Sequence, residues 1–548
     1  VKLGSETKKI LPLLLLGLTA CGGGSGDGAG TTSVAAVDPL YEDQWHLNNT
    51  AQFVGASNGE DINVESVWGG AVGGGSIKGS GVLVAVVDDG LQLDHEDLAA
   101  NIAANKSWDY AEGDTNPSST TLFHGTNVAG LIAARDLNGV GVRGVAPRAS
   151  LAGYNLLWDN NVSTSEIYDA LTRNQVEVDV SNNSWGLAVE ELGEAEPPID
   201  TLWHDAVEEG ITNGRDGKGI VYVWAAGNGG YGEDNSNYDY QANNRHVIAV
   251  CAVDGRGRQA SYSEPGANIW LCAPGGDSTV ALGTLGPPTT DISGAAGANT
   301  TNGMADDYTD QSYTRSFIGT SASTPIVSGV VALMLEANPN LGWRDVRLIL
   351  AETARKNDAL DTTGWAFTTP ASGQPQYNIN HKYGFGVVDA AGAVTKASGW
   401  NNVGSEVIIE KTLNMATAIP DVDATGVIQT ITLDTAVPAE SELIIEYVEV
   451  DFASDHQYPG DLEIILTAPS GTQSVLAETH DCLYVGPFDT LLTRQGACLY
   501  KFNPWTFASV RHLGESSTGT WTLQVADNGN QGAGQLLSWT LRIYGRAP

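Results

Sequence analysis

Apolar residues follow two rhythms along this chain: unbroken runs over most of its length, then alternation with polar residues towards the end. Gly81-Val82-Leu83-Val84-Ala85-Val86-Val87 is an apolar run rich in β-branched residues, which predicts a buried parallel strand. Val221-Tyr222-Val223-Trp224-Ala225 predicts a second strand, and Ile326 to Leu335 continues a helix that opens near Ser321. Small and apolar residues in His124-Gly125-Thr126-Asn127-Val128-Ala129-Gly130-Leu131-Ile132-Ala133-Ala134 predict a helix packed closely on the sheet. After Tyr383-Gly384-Phe385-Gly386-Val387-Val388-Asp389-Ala390-Ala391 the character changes. Strands are predicted at 427–433, 443–450, 462–466, 520–525 and 537–543, several alternating and separated by turn signals, which describes an all-β sandwich. A chain of 548 residues exceeds the roughly 250–300 at which one core stops growing. The expectation is an α/β domain with a doubly wound parallel sheet over residues 38–396, followed by a β-sandwich over 397–548.

The N-terminus reads as a targeting segment. Lys2, Lys8 and Lys9 precede Ile10 to Leu18, too short for a membrane span and shaped like a signal peptide over residues 1–20. No other run reads as long and apolar enough to cross a bilayer. Residues 21–37 begin with Gly22-Gly23-Gly24-Ser25-Gly26-Asp27-Gly28 after Cys21 and read as a flexible tether. A net charge of −38 argues against nucleic acid or an anionic membrane surface as a partner and favours positively charged peptides, although a solvated acidic surface has the same composition. Cys251 and Cys272 fall in the first predicted domain, Cys482 and Cys498 in the second. That placement suggests the pairs Cys251 with Cys272 and Cys482 with Cys498 in an oxidising compartment, while four reduced thiols stay open. No zinc-ligand spacing occurs, which argues against metal-dependent hydrolysis.

Three short motifs carry the chemistry. Asp88-Asp89-Gly90 follows the first strand, His124-Gly125-Thr126 opens a helix, and Gly319-Thr320-Ser321-Ala322-Ser323-Thr324-Pro325 opens another. The order Asp, His, Ser is one of the known orders of a hydrolytic triad. A serine hydroxyl needs a base to attack an amide, His124 is that base, and Asp88 fixes its tautomer. Asn228, in Ala225-Ala226-Gly227-Asn228-Gly229-Gly230, is placed to donate to a developing oxyanion.

These motifs resemble the subtilisin-like serine proteases, and the doubled acid Asp88-Asp89-Gly90 resembles their kexin and furin-like branch. Asp38-Pro39-Leu40-Tyr41-Glu42-Asp43-Gln44-Trp45-His46-Leu47 resembles the start of a kexin-type catalytic domain. Gly460-Asp461-Leu462, Ala468-Pro469-Ser470-Gly471-Thr472, Gly519-Thr520-Trp521 and Leu537-Ser538-Trp539 resemble the P domain that follows it. By composition alone, that region suits a carbohydrate-binding module equally. The resemblance, which runs from about residue 38 to the C-terminus, implies a serine endopeptidase cleaving after Lys or Arg, with a basic preference at P2. Asp89 would face the P2 side chain, Asp239 would floor the S1 pocket, and Ser184-Trp185-Gly186 would form its wall and pair with substrate backbone.

The resemblance also implies structural calcium. Asp38, Asp97 and Asn138, with carbonyls near Arg135, Val140 and Val142, match one site, and such a turn can offer the oxygens calcium wants. Asp234 and Glu264 match part of a second, whose further acid maps onto Val189. That departure admits a broader-specificity protease as an alternative, and a non-catalytic surface-binding lipoprotein is the alternative from another class. Leu18-Thr19-Ala20-Cys21 resembles a bacterial lipobox, which implies a lipid anchor on Cys21 and an outer-membrane lipoprotein. An ordinary signal and a periplasmic or secreted protein is the alternative. Only sixteen residues separate Cys21 from Asp38, too few for the folding propeptide that the resemblance implies, so the alternatives are help from a separate folding chaperone or intrinsically slow folding. The Gly/Thr/Ala-rich stretch near 280–310 has no assigned role.

Overall fold

Six short buried strands build one parallel sheet: β1 (Leu83–Val87), β2 (Ser150–Tyr154), β3 (Val180–Asn183), β4 (Val221–Ala225), β5 (Val247–Val253) and β6 (Leu271–Pro274). They lie in the order β2-β1-β3-β4-β5-β6. The computed structural model describes residues 37–69, 76–159, 162–186, 201–277, 285–301, 307–485, 491–494, 498, 501–530 and 532–548. The signal, lipobox and tether expectations, and Val189, lie outside the described residues.

Alternation along β1 explains why both sheet faces need cover. Val84 and Val86 join a core with α2 (His124–Ala133) and α6 (Thr320–Ala337), while Leu83, Ala85 and Val87 join one with α3 (Thr164–Thr172) and α4 (Thr201–Asn213). The remaining helices are α1 (Glu65–Trp68), α5 (Ala298–Thr301), α7 (Trp343–Thr353) and α8 (Ala390–Ser398). Eighteen residues long and apolar all round, α6 has the length and composition of a membrane span, contrary to the expectation that no run beyond the N-terminus would. Its residues from Thr320 to Leu335 are buried, so it is the central helix of the core. Cys251 and Cys272 face each other across β5 and β6 and form the expected disulfide. Cys498 is also disulfide-bonded, whereas the side chain of Cys482 lies outside the described residues.

Two short antiparallel pairs, β7 (Thr289–Thr290) with β8 (Tyr313–Thr314) and β9 (Ala366–Phe367) with β10 (Asn378–Ile379), complete this part. The chain then runs through β11 (Val407–Ile419), β12 (Asp423–Leu433), β13 (Ile444–Ser454), β14 (Leu462–Thr467), β15 (Gln473–Ala477), β16 (Cys482–Val485), β17 (Leu491–Arg494), β18 (Trp505–Ser509), β19 (Gly519–Asp527) and β20 (Gly534–Arg546). Two four-stranded sheets, β11-β20-β13-β18 and β12-β19-β14-β15, hold eight of these strands. Packing is continuous between the parallel and antiparallel parts: Tyr447, Ala508, Val510, Leu513 and Tyr544 belong to the same core as α2 and α6. Arg344 ties α7 to Glu446 of β13, bonding at 2.7 and 2.8 Å to its two carboxylate oxygens.

Candidate active site

The strand order places the site. Chain connections reverse direction between β1 and β3, and the crevice beyond the carboxyl ends of strands at such a point is where doubly wound sheets bind ligands. Asp88 is the first residue after β1, Ser184 the first after β3, and Asn228 lies three residues beyond β4.

His124 is the first residue of α2, and its Nδ1 lies 2.7 Å from Asp88 Oδ1. A carboxylate only accepts, so this bond puts the proton on Nδ1 and leaves Nε2 as the basic nitrogen. Asp88 is buried, and its Oδ1 also accepts the Asp89 amide at 2.8 Å. Burial pulls the imidazole pKa down, but the Asp88 carboxylate outweighs it with help from Asp89, and the result is pushed up to about 9. Helix and strand approach so closely here that a Cβ on Gly125 would lie 2.0 Å from Gly90 O and 2.9 Å from Asp88 Cβ. The glycine in His124-Gly125-Thr126 is therefore a steric requirement of the Asp88 to His124 bond.

Asp89 grips the same helix start. Its carboxylate accepts the His124 amide at 3.1 Å and the Gly125 amide at 2.8 Å, as a capping side chain does from an N-cap position. Burial and the neighbouring Asp88 raise its pKa to about 6.

Ser321 is the second residue of α6, after Gly319 at φ 116°, a conformation that favours glycine. The Ser321 hydroxyl donates to Ser184 O and the Ser184 hydroxyl donates to Ser321 O, each at 3.1 Å. Attack requires Ser321 Oγ to turn from Ser184 towards His124 Nε2, an adjustment ordinary in a free enzyme. Thr320 fixes the Asn228 side chain: its amide (2.9 Å) and hydroxyl (3.0 Å) both donate to Asn228 Oδ1, which directs Nδ2 away from α6's first residue. Phe317 sets its ring edge against His124, centroids 5.1 Å apart. Sequence reasoning gave neither residue a role, although Thr320 sits inside the quoted nucleophile motif.

Ser184, Trp185 and Gly186 follow β3 and are not part of it; Trp185 packs on Trp224 of β4 at 4.6 Å between centroids. Asp239 is buried at the end of the turn Ser236–Tyr238, and its Oδ1 accepts the Gln241 amide at 2.6 Å. Asp234 and Glu264 are buried nearby, both near Gly229, whose amide donates to Glu264 Oε1 at 2.8 Å and whose carbonyl accepts from Asp234 N at 3.4 Å.

The first expected calcium set is brought together. Asn138 Nδ2 donates to Asp97 Oδ1 (2.7 Å), the Asn138 amide to Asp38 Oδ1 (3.3 Å) and the Val142 amide to Asp97 Oδ2 (2.9 Å). The Arg135 amide donates to Asp97 O at 2.8 Å, and the Val140 amide to Asn138 Oδ1 at 3.1 Å. Sequence reasoning missed Arg143, which lies buried over the Tyr41 and Trp68 rings and donates to Asp38 Oδ2 at 2.8 Å. Burial, with the nearby charge of Asp38, outweighs these hydrogen bonds and raises Asp97 to about 7. Two buried carboxylates beside the Asn138 side-chain oxygen are donor chemistry that suits a hard cation, and all four carboxylate oxygens accept hydrogen bonds here, from Asn138, Val142 and Arg143. Among the described residues no cluster of three or more His, Cys, Asp or Glu side chains forms a metal site.

The family profile described as subtilase family matches residues 79–386, more than half of the chain. The chain belongs to the subtilase family. A profile described as the proprotein convertase P-domain matches residues 445–543. Kexin of Saccharomyces cerevisiae is 32% identical over 521 residues, covering 93% of this chain and 56% of kexin. Proprotein convertase subtilisin/kexin type 4 of Homo sapiens is 30% identical over 528 residues, 94% of this chain and 62% of the human protein. The chain thus spans little more than half the length of these curated relatives. A serine protease of Aeromonas sobria, solved in complex with a chaperone, superposes with a TM-score of 0.79 at 29% identity, over 94% of this chain and 96% of that one. This subtilase therefore joins a parallel α/β core to a P domain, as the resemblance of the motifs between Gly460 and Trp539 implied.

Proposed function

We propose that this subtilase is a serine endopeptidase that cleaves after Lys or Arg, with a basic preference at P2. The observation that carries the reading is the 2.7 Å bond from His124 to a buried Asp88 at the switch point of the sheet, where Ser321 and Asn228 also stand. Ser321 Oγ attacks the scissile carbonyl while its proton passes to His124 Nε2. Asn228 Nδ2 and the Ser321 amide at the start of α6 hold the oxyanion, and loss of such a donor typically costs about 3–4 kcal/mol. His124 then returns the proton to the leaving amine, and water releases the acyl group by the same route in reverse. Asp239 supplies the charge that a P1 guanidinium or ammonium needs on leaving water. Similarity over more than nine-tenths of the chain to kexin and to a proprotein convertase supports this reading.

Calcium held by Asp38, Asp97 and Asn138 with the loop carbonyls would tie the N-terminal segment to residues 135–142 and offset the charge of two buried carboxylates. Folding with a separate chaperone is part of the same reading, supported by the Aeromonas sobria protease having been solved with one. So is a lipid anchor on Cys21, which rests on Leu18-Thr19-Ala20-Cys21 alone. Peptide libraries varied at P1 and P2 test the specificity, with Ser321→Ala as control. Equal cleavage after basic and aliphatic residues would replace it with the broad-specificity reading.

A further inference from the structure

The turn that carries Asp239 is shared between the two parts of the molecule. On the catalytic side the Ser236 amide donates to Pro265 O at 3.0 Å, and Asn268 Nδ2 donates to Ser236 O at 3.1 Å. On the other side the partner is the P domain. Asn237 is completely buried, and its amide pairs with sandwich backbone as an added strand would: Nδ2 donates to Ala508 O (3.0 Å) and Leu476 O (3.2 Å), and Oδ1 accepts the Ala508 amide (2.8 Å). Trp505 Nε1 donates to Asn237 O at 3.0 Å. Asn243, whose amide donates to Asp239 O at 2.9 Å, donates through Nδ2 to Asn237 O (3.0 Å) and Thr506 O (2.9 Å), and its own carbonyl accepts the Tyr447 hydroxyl (2.8 Å).

Asp239 thus stands two residues from one side chain clamped by β15 and β18, and its carbonyl is held by the backbone amide of Asn243, whose own side chain bonds β18. We propose that Asn237 is a positioning residue through which the P domain sets the place of the S1 acid, so that selectivity for a basic P1 side chain depends on the sandwich. This rests on the reading of Asp239 as the S1 acid. A carboxylate recognises a guanidinium fork only in a narrow geometry, whereas an uncharged side chain of the same length asks only for space. Loosening the clamp therefore lowers cleavage after Arg more than cleavage after an isosteric neutral residue. A purely stabilising contact lowers both together.

The test uses the full chain with Trp505→Phe, which removes the indole donor and leaves a smaller aromatic ring in its place, alongside Asn237→Ala. For each, kcat/KM is measured on paired peptides bearing Arg or citrulline at P1, normalised to active sites titrated with a fluorophosphonate. The expected result is a fall in the Arg-to-citrulline ratio on the order of 10-fold for Asn237→Ala, smaller but in the same direction for Trp505→Phe. If Asn237→Ala does not fold, Trp505→Phe alone decides. An unchanged ratio with a lowered melting temperature overturns the proposal and leaves the S1 reading standing. Wild-type enzyme showing no preference for Arg over citrulline overturns both.

Discussion

His124 faces two carboxylates with different duties. Asp88 accepts the hydrogen bond from Nδ1, while Asp89 holds the backbone on which the ring stands. General base catalysis needs neutral imidazole, and both acids favour the charged form, so kcat/KM should rise with pH through an ionisation above the usual imidazole value near 6.5 and as high as about 9. Asp89→Asn removes one negative charge and should move that limb to lower pH, measured on a peptide with Ala at P2 so that loss of P2 binding does not intrude. A limb that stays in place would show that the Asp89 charge does not act on the ring. Thr320→Val deletes the hydroxyl donor to Asn228 Oδ1 and keeps the amide donor, so kcat should fall about 10-fold, less than the roughly 100- to 1,000-fold of losing an oxyanion donor outright, with KM little changed. Asp88, His124, Ser321 and Asn228 were legible because each ends a strand or opens a helix in a distinctive motif. Thr320 and Arg143 were not, because their roles are bonds made to residues 92 and 105 positions away, which no local pattern records.

Helix α2 meets β1 at a glycine, and this contact sets the precision of the site. Gly125→Ala places a methyl 2.0 Å from Gly90 O, a backbone atom that cannot rotate aside. The helix must retreat, and the expected cost is about 1–3 kcal/mol of stability with a loss of activity well beyond the unfolded fraction. Chemical denaturation and titrated turnover check the two separately. Elements with a clear period were read correctly: the apolar run behind β1, the alternation behind β14 and β19. The long strand β11 escaped notice because Glu410-Lys411-Thr412-Leu413-Asn414-Met415-Ala416 carries mostly polar and small residues on an edge strand that buries little. Ser184-Trp185-Gly186, expected as strand, lies beyond the last rung shared with β4, because its pairing partner in that expectation is substrate.

Across the whole molecule the P domain and the catalytic part share apolar cores, and the N-terminal segment is closed onto the loop at 135–142 by Asp38, Asp97 and Asn138. Calcium bound there should stabilise the folded state by about 2.7 kcal/mol at a hundredfold excess over Kd, so exhaustive chelation should lower Tm and Asp97→Ala should reproduce the loss. An unchanged melting curve, with elemental analysis showing calcium gone, would remove calcium from the account without touching the triad. The pairing of sheet and sandwich was visible in the change of period near residue 396, but their mutual bonds depend on chain segments hundreds of residues apart and were not. The central claim is that Ser321 is a nucleophile activated by His124 and Asp88. Its most direct test is mass spectrometry of the protein after reaction with a fluorophosphonate, followed by peptide mapping. One adduct is expected, on Ser321, and it is lost in His124→Ala along with turnover of Arg-containing peptides. Labelling elsewhere, or full peptide hydrolysis by Ser321→Ala, would contradict it.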